Sequence, residues 1–137
     1  MMLAASSYLW DYIRKTGGGG CFLALSGGAD SGLTALIISF MSERLFNYYK
    51  EGVKDVTAQL RKVIGDENFD PKSPKEITNR LFSTCYMGTV NSSPETRKRA
   101  SKLAEFIGSH HMDIDIDSIV KDFDEIIKKL FGFVMKF

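Results

Sequence analysis

Residues 21–31 read Cys21-Phe22-Leu23-Ala24-Leu25-Ser26-Gly27-Gly28-Ala29-Asp30-Ser31, and they indicate both the fold class and the ligand site of the chain. The first five residues are apolar, which is typical of a parallel strand covered on both faces. The last six combine two glycines, two hydroxyls and one carboxylate, and a helical pattern follows them. Because ligands of open α/β sheets bind beyond the carboxyl ends of the strands, this loop is the predicted ligand site.

The chemistry of the loop suits a polyphosphate. Gly27 and Gly28 permit positive φ and let a ligand approach the backbone closely. The N–H groups at the start of the following helix lack partners and lie at the positive end of its dipole, so they bind phosphate. Ser26 and Ser31 add hydroxyl donors. Asp30 would repel a phosphate by itself, so its presence indicates a magnesium ion between the two.

Two other glycine motifs are excluded. A Walker A loop needs a Gly-Lys pair, and the chain has none. The run Gly17–Gly20 fails the dinucleotide fingerprint, because Phe22 and Leu23 stand where its third glycine belongs. A glycine turn with a capping serine is the alternative for the loop, but its position between an apolar run and a helix favours phosphate binding.

The composition limits the function classes. With 137 residues, 44% hydrophobic and 26% charged, the chain has the make-up of one soluble domain. A net charge of +1 gives no electrostatic reason to expect nucleic acid or a membrane as partner. No apolar run reaches the roughly 18 residues of a membrane span, and the N-terminus lacks the order of a signal peptide. Cys21 and Cys85 predict two buried, reduced thiols, so we expect a cytoplasmic protein.

Strands alternate with helices along the chain, which predicts a parallel α/β sheet. Helices are predicted over 3–15, 33–51, 53–64 and 94–107 and after Ser118, and strands over 21–25, 81–87 and 112–116. Gly65–Pro74 is predicted as an exposed loop. Ser93 before Pro94, and Ser92 with Glu95, are competing starts of the fourth helix.

The apolar spacing predicts the buried face of each helix. The predicted stripes are Tyr8, Leu9, Tyr12 and Ile13; Leu33, Leu36, Ile37, Phe40, Met41, Leu45 and Tyr48; Ala100, Leu103, Ala104 and Ile107; and Val120, Phe123, Ile127, Leu130 and Phe131.

Alternation near the C-terminal end predicts an edge strand with one wet face. The alternating residues are Met112, Ile114 and Ile116 with Asp113, Asp115 and Asp117. The aspartates also match the start of an EF-hand loop, but Ser118 and Asp124 stand where glycine and glutamate belong, so we interpret them as solvated carboxylates. We interpret His110 and His111 as polar residues at a strand start, and Arg97–Arg99 as the wet face of a helix.

Several segments together carry a family resemblance. The loop Ser26–Ser31 resembles the SGGxDS PP-loop of the ATP pyrophosphatases, the adenine nucleotide alpha-hydrolase-like superfamily. Upstream, Tyr8–Arg14 (YLWDYIR) is similar to the WLWDYLR segment of glutamine-dependent NAD(+) synthetases. The downstream segments similar to the same enzymes are Thr84–Gly88, Asn91–Ser93, Thr96, Arg99-Ala100, Leu103-Ala104 and Ile107–His111.

The resemblance implies a fold and a domain organisation. The expected fold is a Rossmann-like three-layer α/β domain with a parallel sheet flanked by helices, truncated to about three strands of the family's five. Residues 1–137 then correspond to the N-terminal half of the synthetase domain. The glutaminase domain and the C-terminal half of the synthetase domain are expected to lie outside this chain.

The resemblance also implies a reaction. In these enzymes the carboxylate of deamido-NAD attacks the α-phosphate of ATP, pyrophosphate leaves, and ammonia displaces AMP to give NAD. The implied cofactors are ATP and Mg²⁺, with ammonia supplied by a glutaminase domain and a homo-oligomer left open. The alternatives are a GMP- or asparagine-synthetase-like amidotransferase and a non-catalytic nucleotide-binding remnant.

Site residues follow from the matching positions. Ser26 and Asp30 are the implied catalytic residues, with Asp30 as the metal ligand. No base adjoins Ser26, so we assign it to phosphate binding. Tyr86 and Met87 match the region that meets adenine, with core residues at a strand end as the alternative. The implied ATP contacts are Ala24, Leu25, Ser26, Gly27, Gly28, Ala29, Asp30, Ser31, Tyr86 and Met87.

Overall fold

Residues 2–133 are described by a computed structural model and contain three strands and six helices. No helix in this range has the length and apolar content needed to cross a bilayer. In chain order the elements are α1 (Met2–Thr16), β1 (Cys21–Ala24), α2 (Ala29–Lys50), α3 (Lys54–Ile64), α4 (Pro74–Leu81), β2 (Phe82–Gly88), α5 (Pro94–Ile107), β3 (His110–Asp115) and α6 (Asp117–Phe131).

The sheet is parallel throughout and has the order β1-β2-β3. Leu23 pairs with Thr84, and Thr84 pairs with His111, so these three side chains share one face. The carboxyl ends of all three strands therefore meet at one edge. This arrangement confirms the predicted Rossmann-like α/β class with three strands.

The core lies between this face of the sheet and the helices. Helix α2 contacts α4 and α5, and each of the three also contacts a strand. Phe82 on the central strand and Ile77 on α4 are completely buried. The predicted α5 stripe is confirmed, with Ala100, Ala104 and Ile107 buried.

The core-facing residues of α2 differ partly from the predicted stripe. Ala35 and Ile38 are buried, whereas Leu33 and Leu36 are 46% and 37% exposed. The helix carries apolar residues around much of its circumference, so periodicity leaves several directions open and the packing of α4 and α5 selects one.

The core-facing residues of helix α1 likewise differ from the predicted set. Ile13 is buried, and Leu9 and Trp10 pack against the core. Tyr8 and Tyr12 are 73% and 57% exposed, so their prediction as buried residues was wrong. A tyrosine presents both an apolar ring and a polar tip, which makes it a weak marker of the buried face.

The segment between α2 and β2 holds one unpredicted helix. Helix α3 confirms the predicted amphipathic helix, whereas α4 follows Ser73 as N-cap with Pro74 in its first turn. A proline at the first helical position marks a helix start as well as a loop, which is why the pattern was ambiguous. The loop before it is not fully exposed, because Phe69 is buried and its carbonyl accepts a hydrogen bond from Arg61 Nε at 3.1 Å.

The other face of the sheet is open within residues 2–133. Phe22, Met87 and Ile114 are 58%, 42% and 42% exposed, so the expectation that β1 is covered on both faces was wrong for this part of the chain. β3 is an edge strand, as predicted, but the prediction of a single wet face was wrong for this part of the chain, since Met112 and Ile114 on its apolar side are 37% and 42% exposed. An apolar pattern predicts that a face of the sheet is buried, but it does not identify the segment that buries it.

Helix α6 departs most from the prediction. It begins at Asp117 after Ile116 as N-cap, and not after Ser118. None of its residues is buried, and Phe123 and Leu130 are 54% and 69% exposed. The predicted inward stripe exists on the helix, but no element in the described range buries it.

Candidate nucleotide-binding site

The loop after β1 lies at the carboxyl edge of the sheet. Leu25 N donates to the Cys85 carbonyl at 2.8 Å and extends the ladder one residue past β1. Helix α2 then begins at Ala29, with Gly28 as N-cap and no side chain capping it. The first N–H groups of α2 therefore have neither an intrahelical partner nor a capping side chain.

Gly27 has two reasons to be glycine. Its φ is +76°, a conformation that side chains disfavour, and a Cβ there would lie 2.3 Å from the carbonyl oxygen of Thr96. The loop is thus pressed against the first turn of α5. As a result, the N-termini of α2 and α5 lie side by side at the edge of the sheet.

The two hydroxyls of the loop are brought together. Ser26 Oγ and Ser31 Oγ share a hydrogen bond of 3.0 Å, and Gly28 N donates to Ser26 Oγ at 3.3 Å. Ser31 Oγ also donates to the carbonyl of Gly28 at 3.2 Å. No histidine or carboxylate is hydrogen-bonded to Ser26 within the described range, so the geometry suits binding rather than nucleophilic attack.

Asp30 lies in the first turn of α2 and is exposed. Its carboxylate forms neither an ion pair nor a side-chain hydrogen bond with the part of the chain that the structure describes, and its backbone carbonyl accepts from Thr34 Oγ1 at 3.0 Å. A carboxylate in this state is available to a cation. No group of three potential metal ligands occurs in residues 2–133, so a cation bound by Asp30 would take its other oxygen ligands from water or from a phosphate-bearing ligand.

Tyr86 and Met87 point to opposite faces of β2. Tyr86 is 4% exposed, and its hydroxyl shares a 3.0 Å hydrogen bond with Thr96 Oγ1 beneath the loop. Met87 faces the open side. There it lines a cleft of about 110 Å³ together with Ala24, Leu25, Ser26 and Cys85.

Cys85 was not predicted as a site residue, although it lines this cleft. The two cysteines are unbridged, as expected, but only Cys85 is buried; Cys21 is half-buried, and that burial raises the pKa of its thiol. Cys85 alternates with Met87 along β2, and the same face was therefore deducible from strand periodicity.

Arg97 is the second residue that sequence reasoning missed. Its guanidinium lies 5.3 Å from the Tyr86 ring centroid, and Nε lies 3.5 Å from Asp113 Oδ1. A Cβ at Gly88 would lie 2.1 Å from Arg97 Nη2, so the arginine passes directly over the end of β2. The signal was its position in the first turn of the helix that follows β2, which puts it at the carboxyl edge.

Ser93 caps α5, which settles the competing starts. Its Oγ accepts from Glu95 N at 3.2 Å, whereas Ser92 Oγ accepts from Thr89 N at 2.9 Å in the preceding turn. Both serines thus hold the loop between β2 and α5.

Two aspartates where β3 ends and α6 begins also accept hydrogen bonds from backbone N–H groups. Asp117 accepts from Val90 N at 2.9 Å, and Asp115 accepts from Asp117 N at 3.1 Å. The hydrogen bond from the Asp117 backbone lowers the pKa of Asp115, while desolvation followed by the contact with Asp115 raises the pKa of Asp117. These carboxylates organise the connections at the edge of the sheet.

Only one of the two ring nitrogens of His111 has a hydrogen-bond partner within the described range. Nδ1 shares a 2.8 Å hydrogen bond with Thr84 Oγ1, which also contacts Ser109 Oγ at 2.9 Å. Nε2 is buried and has no partner within the described range. Burial lowers the pKa of His111, and the nearby Asp113 opposes that effect.

Taken together, the three-stranded parallel sheet and the helices packed on it define an α/β domain of the Rossmann-like class. The family model for NAD synthase matches residues 1–134. The chain therefore belongs to the NAD synthase family.

Individual relatives agree with this assignment. The chain is 41% identical over 135 residues to a glutamine-dependent NAD(+) synthetase of Drosophila melanogaster, covering 98% of this chain and 17% of that protein. It is 40% identical over 119 residues to the Saccharomyces cerevisiae protein of the same description, covering 86% and 17%. The crystal structure of a glutamine-dependent NAD(+) synthetase from Cytophaga hutchinsonii superposes with a TM-score of 0.82 at 30% identity, covering 98% of this chain and 24% of that one.

Proposed function

We propose that this chain supplies the ATP pyrophosphate-binding part of a glutamine-dependent NAD(+) synthetase. The complete reaction would amidate deamido-NAD through an adenylate and release AMP and pyrophosphate. The observation that carries the proposal is the loop Ser26–Ser31 at the uncapped start of α2, in a chain of the NAD synthase family. The family match favours this reaction over a GMP- or asparagine-synthetase-like one.

The loop would bind the β- and γ-phosphates. The free N–H groups at the start of α2 offer hydrogen bonds and the positive end of a helix dipole. Ser26 and Ser31, now bonded to each other, would turn their hydroxyls to phosphate oxygens. Donors fixed in this way stabilise negative charge as it grows on the leaving pyrophosphate, which lowers the barrier to adenylation.

Asp30 fits a magnesium ion that arrives with ATP. Mg²⁺ is commonly held by one or two carboxylates together with substrate phosphates, and Asp30 offers one unengaged carboxylate beside the loop. Bound there, Mg²⁺ would neutralise phosphate charge. Asp30 itself would hold the ion and would otherwise repel the phosphates.

The cleft beside the loop would receive the adenine end. Met87, Ala24 and Leu25 give it apolar walls, and Ser26 connects it to the phosphate side. Tyr86 would act from below by holding α5 against the loop through Thr96.

The remaining functions would come from protein segments outside residues 1–137. The chain spans 17% of the length of the Drosophila relative, so we assign most of the deamido-NAD contacts and the supply of ammonia to a glutaminase domain and a further synthetase segment. We place the reaction in the cytoplasm, without nucleic acid or membrane as partner.

Calorimetric titration with MgATP tests this proposal. We expect weak, saturable binding to the wild-type chain and at least about tenfold weaker binding to Asp30→Ala. Asp55→Ala is the matched control, because it removes an exposed first-turn carboxylate from α3 instead of α2. Absence of saturable heat from the wild type contradicts nucleotide binding, and NAD formation by the isolated chain contradicts the need for further segments.

A further inference from the structure

A groove between α1, α2 and α3 lies far from the nucleotide loop. It has a volume of about 190 Å³, and its walls include Trp10, Met41, Leu45 and Val56. Arg44, which also lines it, lies fifteen residues beyond the start of α2, which is about 22 Å along the helix axis. The groove is therefore separate from the site proposed for ATP.

Arg44 brings a positive charge to this apolar groove. Its Nη1 donates to Ser7 Oγ at 2.7 Å and its Nη2 donates to Tyr48 OH at 3.0 Å. Within residues 2–133 no carboxylate oxygen lies within 4.0 Å of the guanidinium. The two hydroxyls fix the orientation of the guanidinium, and its remaining N–H donors are left without an anion.

The one carboxylate that lines the groove does not compete for Arg44. Asp11 is paired with Arg14 at 2.5 Å and with Lys15 at 3.6 Å, and the hydrogen bond from Arg14 lowers the pKa of Asp11. Its charge is thus already compensated by two cations on its own helix. Among the residues that line the groove, Arg44 is therefore the charged side chain without an oppositely charged partner.

We propose that this groove binds a small aromatic monocarboxylate. A cavity of about 150 Å³ holds a benzene ring, so the volume found here accommodates one ring and a small substituent. Trp10 and the aliphatic side chains would contact the ring, and Arg44 would bind the carboxylate through its guanidinium fork. A ligand without the charge would leave Arg44 uncompensated, and one without the ring would leave the apolar walls in water.

Trp10 makes the proposal directly measurable, because it is the single tryptophan of the chain. We would titrate the protein with benzoate, with its neutral analogue benzamide and with acetate, and follow both Trp10 fluorescence and heat. We expect a saturable response to benzoate, with affinity at least about tenfold higher than for either other probe. Equal affinity for benzoate and benzamide, or no saturable response to benzoate, overturns the proposal.

Substitutions of Arg44 test whether its positive charge binds the carboxylate of benzoate. Arg44→Gln should weaken benzoate binding at least about tenfold, and Arg44→Lys should retain part of it. Lys62→Gln is the matched control, since it removes one exposed positive charge from α3 outside this groove. Unchanged benzoate affinity in a folded Arg44→Gln variant overturns the assignment to Arg44. If that variant does not fold, the comparison of benzoate with benzamide on the wild type still decides the proposal.

Discussion

Gly27 lies against the backbone of Thr96, so that a Cβ on the glycine would stand 2.3 Å from the threonine carbonyl oxygen. The loop Ser26–Ser31 and the first turn of α5 therefore lie so close together that only glycine fits at position 27. Any side chain introduced at position 27 must therefore push the N-termini of α2 and α5 apart.

Gly27→Ala should consequently lower both stability and MgATP binding. The left-handed conformation alone costs about 1–2 kcal/mol for a residue with a Cβ. Gly52→Ala is the control, because Gly52 has the same φ of +76° but nothing within 4 Å of its Cβ position. In urea unfolding, Gly27→Ala should lose more free energy than Gly52→Ala, and it alone should weaken MgATP binding. Equal losses in the two variants would count against the contact with Thr96.

Two strand phenylalanines should respond very differently to truncation. Phe82 is completely buried on the central strand, so Phe82→Ala should cost about 3–5 kcal/mol. Phe22, on the open face of β1, is 58% exposed, and Phe22→Ala should cost less than about 1 kcal/mol. Denaturant midpoints with equal slopes would provide the comparison. A large loss from Phe22→Ala would show that its face is covered in the isolated chain.

Substitutions at Tyr86 and Met87 should distinguish a residue that stabilises the fold from one that contacts the ligand. Tyr86→Phe removes the hydrogen bond to Thr96 and should lower the free energy of unfolding by about 1 kcal/mol, with MgATP affinity nearly unchanged. Met87→Ala removes a wall of the open cleft and should weaken MgATP about fivefold. If the two variants show the reverse pattern, adenine contacts Tyr86 instead.

Acid should destabilise the fold partly through His111. Burial lowers the pKa of His111 in the folded chain below the usual 6.5, so the unfolded chain binds the proton more readily. The free energy of unfolding should therefore decrease as pH falls below about 6.5 and level off once the folded form is also protonated. His111→Gln should flatten this dependence in urea titrations at several pH values, while His110→Gln, at an exposed position, should not. Identical pH profiles in both variants would exclude His111 as the group responsible.

The sequence was most informative where local chemistry alone fixes the structure. The apolar run from Cys21, the glycines of the loop and the Ser93-Pro94 start of α5 each specify backbone geometry through neighbouring residues. The edge position of β3 likewise followed from its alternating aspartates. These features needed no knowledge of distant contacts.

Tertiary contacts decided the features that sequence reasoning missed. The position of Arg97 over Gly88 depends on the distance between α5 and β2, which no local pattern contains. The same applies to the rotation of α1 that exposes Tyr8 and Tyr12. Roles in ATP contact are a further step, because they depend on a ligand that must be tested by binding.

The exposure of helix α6 predicts that this part of the chain unfolds locally more often than the sheet does. With no residue buried along Asp117–Phe131, its hydrogen bonds are protected only by helix–coil equilibrium, and a fifteen-residue helix is marginal by itself. Its first turn is tied to the loop after β2 by the hydrogen bond from Val90 N to Asp117, so fraying should proceed from Phe131 backwards. Amide protons of α6 should therefore exchange with solvent long before those of β2, and the molecule should have a slow core joined to a fast C-terminal segment.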